Sequence, residues 1–88
     1  MNPYDIEAYK ILTKLQLKEN DFNNAIETIK TALSECEETG DLDFLASIVF
    51  KKAGEEENSS TYFENAIKNH QTLSIPVAKA REEIKRIK

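Results

Sequence analysis

The stretch DIEAYKILTKLQLKENDFNNAIETIKTALSECEE, residues 5–38, decides the fold. Ile6, Tyr9, Leu12 and Leu15 recur at helical steps, and Ala25, Ile26, Ile29, Ala32, Leu33 and Cys36 do the same further on. That spacing gathers each set on one face of a helix. Between them runs the polar break Lys18, Glu19, Asn20, Asp21. Asn20 suits a left-handed residue ending the first helix, and Asp21 suits a side-chain acceptor for the first amides of the second. The stretch therefore predicts an antiparallel helical hairpin.

Working outward, a second hairpin follows. Thr39, Gly40 and Asp41 read as the connector, Leu42, Leu45, Ile48 and Val49 as one apolar face, and Tyr62, Phe63, Ala66 and Ile67 as the other. Its inner turn spans Gly54 to Ser60, so the third helix is expected to stop near Ala53 and the fourth to start between Glu56 and Ser60. The acidic triplet Glu55 to Glu57 then lies near a helix N-terminus, where the macrodipole favours it. In the last segment Ser74 reads as an N-cap and Pro76 as a first-turn residue, with Val77, Ala80, Ile84 and Ile87 on a narrow apolar stripe. The expectation is an all-α chain of five helices.

Shifting the sequence on itself by thirty-four residues aligns Leu12 with Ala46, Thr13 with Ser47, Leu15 with Val49, Asn20 with Gly54, Asn24 with Asn58, Ile29 with Phe63, Ala32 with Ala66 and Leu33 with Ile67. With Tyr9 at a large aromatic position, Leu12 after it, the pair Ala25 and Ile29, and Ala32 beyond, this period resembles the tetratricopeptide repeat family. The second copy keeps Ser47, Phe50, Gly54, Ser59, Phe63 and Ala66. It departs from the pattern at Asp43, Glu56 and Gln71, while Thr13, Gln16 and Glu37 depart from it in the first copy. The resemblance implies hairpins stacked as a short right-handed solenoid: repeat one over about 5–38, repeat two over about 39–72, and a capping helix over about 75–88. An antiparallel bundle outside the family is the alternative that the spacing leaves open.

Composition narrows the function. The net charge of −4 divides into −7 over residues 1–78 and +3 over the last ten. An acidic body argues against a nucleic-acid binder, which needs a clustered basic footprint, and cations in a last helical turn already answer its dipole. No apolar run approaches a membrane span, and the chain opens without the basic start and apolar run of a signal peptide. The single cysteine cannot form an internal disulfide, which fits a reducing, cytoplasmic setting.

Candidate chemistry is thin. Cys36 and His70 are the only thiol and imidazole, thirty-four residues apart. On successive hairpins they stand on the order of 10 Å apart, too far for direct proton transfer. Neither cysteine and histidine pairs nor the spacing of a calcium loop appears, and two glycines make no phosphate loop. The expectation is a chain that is not an enzyme and takes no metal or cofactor.

The resemblance implies instead that the first helix of each pair lines a concave groove for a partner segment. Carried over position by position, the groove takes Lys10, Lys14, Leu17 and Lys18 from the first unit and Phe44, Ile48, Lys51 and Lys52 from the second. It is expected to be basic with an apolar patch, suited to an acidic peptide of another protein. The alternatives are that the lysines solubilise a helix face and that Phe44 and Ile48 are ordinary core. The carboxylate clamp of chaperone-tail binders is not expected, because Lys14 and Leu45 stand where asparagines belong. The competing function is a structural, self-associating domain, a homodimer burying Val77, Ile84 and Ile87.

Overall fold

The computed structural model describes residues 6–87. They form α1 (Ile6–Lys18), α2 (Phe22–Glu35), α3 (Gly40–Lys52), α4 (Glu56–Lys68) and α5 (Val77–Arg86), with a 3-10 turn at His70–Thr72. There is no strand among the described residues, which are all-α with five helices, as the spacing predicts. The expected start of the first unit at Asp5 and end of the last helix at Lys88 lie outside the described residues.

Both inner turns are built the same way. After α1, Asn20 takes φ 59°, its N–H donates to the Leu17 carbonyl at 3.0 Å, and Asp21 N–H donates to Gln16 at 2.8 Å. After α3, Gly54 takes φ 85°, its N–H donates to Lys51 at 3.1 Å, and Glu55 N–H donates to Phe50 at 2.8 Å. These are Schellman stops, which satisfy the last carbonyls and reverse the chain. Asp21 does not cap α2. Its ψ of 70° departs from the extended backbone that aims a capping side chain, and its carboxylate accepts from Asn24 Nδ2 at 2.7 Å instead. Glu55 likewise accepts from Asn58 Nδ2, at 2.9 Å.

The connector between hairpins lies earlier than expected, over residues 36–39. Gly40 and Asp41 are already helical, and Thr39 is the N-cap, its hydroxyl accepting from Leu42 N–H at 3.1 Å. At the last helix Pro76 holds the N-cap position without a side-chain bond. Ser74 lies two residues before that N-cap and is committed elsewhere, since its N–H donates to Asp41 Oδ1 at 2.6 Å and its hydroxyl donates to the same carboxylate.

Helix α3 is the centre of the molecule. It packs on α1, α2, α4 and α5 and buries nine of its thirteen residues, as a helix enclosed on all sides must. One core joins Leu17, Ala25, Ile29 and Ala32 to Leu42, Leu45, Ala46 and Val49; a second joins Phe44 to Ala66 and Ala80. The small residues at Ala32, Ala46, Ala66 and Ala80 are fully buried, which is where helices approach closely.

The expected face of α1 needs correction. Ile6 and Tyr9 do pack on the core, but Leu12 and Leu15 are exposed. The buried side runs through Thr13 and Leu17. Thr13 passes for polar surface in the sequence, yet its hydroxyl is satisfied within the helix, donating to the Tyr9 carbonyl at 2.7 Å.

Candidate interaction cleft

Lys10, Lys14, Phe44 and Ile48, four of the eight expected groove residues, line one cleft of about 270 Å³. Helix α1 supplies the lysines and α3 the apolar floor. Leu45 and Ile75 extend that floor, while Asp41, Ser74 and Glu83 complete the rim. The volume falls below the ~300–1,000 Å³ usual for small-molecule sites and suits a few side chains of a larger ligand.

The other four expected residues lie elsewhere. Leu17 is buried in the core between α1, α2 and α3. Lys18 and Lys52 are exposed at the last residues of α1 and α3. Lys51 is drawn across the α3–α4 turn to Glu56 Oε1 at 2.9 Å and borders a separate recess of about 170 Å³ with Phe63 and Ile84. The Lys51 ammonium holds the Glu56 carboxyl below its ordinary range.

The expected basic character is also corrected. Lys10 Nζ sits 3.2 Å from Glu7 Oε1 and 3.7 Å from Asp41 Oδ2, and Glu83 stands on the α5 wall. The cleft thus sets two lysines against two carboxylates rather than presenting a positive surface. Its charge is ordered: Lys14 lies exposed on the α1 side and Glu83 on the α5 side, with the apolar floor between.

Asp41 positions the two walls relative to each other. It takes Lys10 from α1 on one side and the backbone and hydroxyl of Ser74 on the other, so the approach to α5 is tied to the first turn of α3. Next to it, Thr72 Oγ1 accepts from Gly40 N–H at 2.7 Å and donates to the Asn69 carbonyl at 3.0 Å. A Cβ at Gly40 would run into that same carbonyl and stand 3.0 Å from Leu73 Cβ. Glycine is required here by space, not by backbone angle.

Two residues beyond Asp41, on another side of α3, Asp43 is buried. Its Oδ2 accepts from Asn69 Nδ2 at 3.1 Å, and the same amide donates to Glu38 Oε2 at 3.0 Å. Its Oδ1 has no hydrogen-bond partner. Burial, followed by the adjacent Glu38 carboxyl, pushes Asp43 up to about 7 despite the Asn69 bond.

Sequence reasoning missed the loop contribution of Ser74 and Ile75, which belong to no periodic segment, and the acidic rim. Leu45 was legible only as core. Cys36 is half-buried against the first core, and His70 places ring Nδ1 3.2 Å from the Ile67 carbonyl oxygen. No helix among the described residues is long and apolar enough to cross a membrane. No family model, curated protein or solved structure matches the chain.

Proposed function

We propose that this chain is a protein-interaction module of the tetratricopeptide type, two hairpins and a covering helix arranged as a short right-handed solenoid, docking a partner segment in the cleft between α1, α3 and α5. The observation that carries the reading is the ordered rim: Lys14 on one wall, Glu83 on the other, and Phe44, Leu45, Ile48 and Ile75 between them. A segment with one large apolar anchor, acidic residues towards α1 and a basic residue towards α5 complements all three parts. This replaces a uniformly acidic peptide as the preferred ligand. No catalytic role is assigned, and the lone cysteine agrees with a reducing, cytoplasmic setting.

The test is a titration of the isotope-labelled chain with synthetic peptides carrying a central leucine or phenylalanine, with glutamates on one side and lysines on the other. Amide shifts are expected at Lys14, Phe44, Ile75 and Glu83, and reversing the order of the charges should weaken binding. Shifts confined to other surfaces, or none with any peptide of the set, would overturn the reading.

A further inference from the structure

The outer face of α1 carries three large apolar side chains in the open: Ile11 is 59 % exposed, Leu12 46 % and Leu15 53 %. Thirty-four residues on, the same positions are Leu45, Ala46 and Val49, all buried in one core with Ala25, Ile29 and Ala32 of α2. The stripe is thus the repeat-equivalent of a surface on which a helix packs. By contrast Val77 and Ile84 of α5, and Ile87 just beyond it, are half-buried, so the large uncovered apolar surface among the described residues is on α1.

The charges beside the stripe select what covers it. At about 100° per residue, Glu7, Lys14 and Lys18 fall on one flank, within about 60° of Ile11. The acid is at the N-terminal end of that flank, Lys18 at the C-terminal end and Lys14 between them, one residue from Thr13. A two-fold axis in the interface, perpendicular to both helices, brings the same flank of two copies together with their directions reversed. Glu7 then meets the partner's Lys18, and Lys18 the partner's Glu7. Parallel pairing would set opposite flanks together and lose both contacts. With the axis near Thr13, Ile11 lies against the partner's Leu15 and Leu15 against the partner's Ile11, while Lys14 comes beside the partner's Lys14, one like-charge contact against the two between Glu7 and Lys18. Ala8 falls opposite the partner's Lys18, where a small residue leaves room for the lysine stem.

We propose that α1 is a self-association face on which two copies of this chain pack antiparallel through Ile11, Leu12 and Leu15, in register set by Glu7 and Lys18. Three half-exposed side chains per copy fall short of the ~1,200 Å² of a stable interface, so the dimer is weak and reversible. Glu7 is already engaged within its own chain, in part by an exposed contact with Lys10 three residues along its helix, and exposed pairs of that kind are worth little.

Sedimentation equilibrium of the whole chain between about 10 µM and about 1 mM tests this. The average mass should climb from 10.1 kDa towards twice that value. Leu15→Glu should hold it at the monomer mass with unchanged helical circular dichroism, because the side chain is exposed. At low salt, Glu7→Lys and Lys18→Glu should each weaken association several-fold, and the double variant should restore it. A mass of one chain throughout the range overturns the proposal and leaves the stripe to a helix of a different protein. Equal association by Leu15→Glu places the contact elsewhere, and failure of the double variant to restore it rejects the antiparallel register. Peptide binding in the cleft should survive Leu15→Glu, so the two readings fail independently.

Discussion

Phe50 and Tyr62 stack with ring centroids 5.4 Å apart and planes 7° from parallel, at the two positions that Gln16 and Thr28 fill in the first hairpin with a 2.8 Å hydrogen bond. The same place in each hairpin is thus closed by different chemistry, apolar in one and polar in the other. Ala25 and Ser59 form a similar pair: both are buried, and Ser59 Oγ donates to the Ser47 carbonyl at 2.8 Å.

The two closures should differ in strength. Phe50→Ala opens a cavity in the core and should cost about 3–5 kcal/mol, whereas Gln16→Ala removes one neutral bond and should cost about 1 kcal/mol. Urea unfolding followed by circular dichroism measures both. Equal losses would mean that the polar pair holds its hairpin as firmly as the stacked rings do.

The two glycines should respond in the order set by their surroundings. Gly54→Ala meets no atom within 4 Å but must hold φ 85°, costing about 1 kcal/mol. Gly40→Ala collides with the Asn69 carbonyl and displaces the end of α4, costing about 3 kcal/mol. Thermal unfolding ranks them, and a milder effect at Gly40 than at Gly54 would contradict the packing described.

Asp43 makes stability fall as pH rises. Its folded value of about 7 lies above the ordinary 3.8, so between these the folded chain holds a proton that the unfolded chain releases. Its contribution is complete below about pH 4, fades as pH climbs through about 7, and is level above that. Asp43→Asn keeps a hydrogen-bonding amide without the charge. It should flatten the slope and raise stability at pH 8 by about 1–3 kcal/mol, measured by denaturant unfolding across pH 4–8. A wild-type profile rising over that window would contradict the burial of this group.

Asp41→Ala should loosen the far end of the chain before the rest. It removes both Ser74 bonds and the contact with Lys10, so amide exchange in α5 should quicken by about tenfold or more, corresponding to 1–2 kcal/mol. Exchange in α2 should change little. A uniform increase across all helices would show that α5 does not open separately.

What the sequence made legible was local. The Schellman stops at Asn20 and Gly54, the end of α3 and the start of α4 follow from residues within a turn of each boundary. The face of α1 was not legible, because Ile6, Tyr9 and Leu17 lie on one side and Ile11, Leu12 and Leu15 on the other, so periodicity alone admits both. Asp43 reads as surface, and only the enclosure of α3 by four other helices makes it core. In the cleft, Lys10, Lys14, Phe44 and Ile48 follow from their places on α1 and α3. Ile75 and Glu83 arrive through a fold-back that no spacing encodes, and Lys51 is diverted by a carboxylate five residues along.

The wall of the cleft formed by α5 buries only one residue completely, Ala80, and is otherwise held by the Ser74 tether, half-buried contacts and the Arg81 guanidinium 5.8 Å above the Phe63 ring. A guest that bridges Lys14 and Glu83 must therefore clamp the least anchored helix against the rest. Occupancy and local order are then a single equilibrium: whatever frays α5 lowers the apparent affinity, and a tightly held guest serves as the missing fastening of the fold.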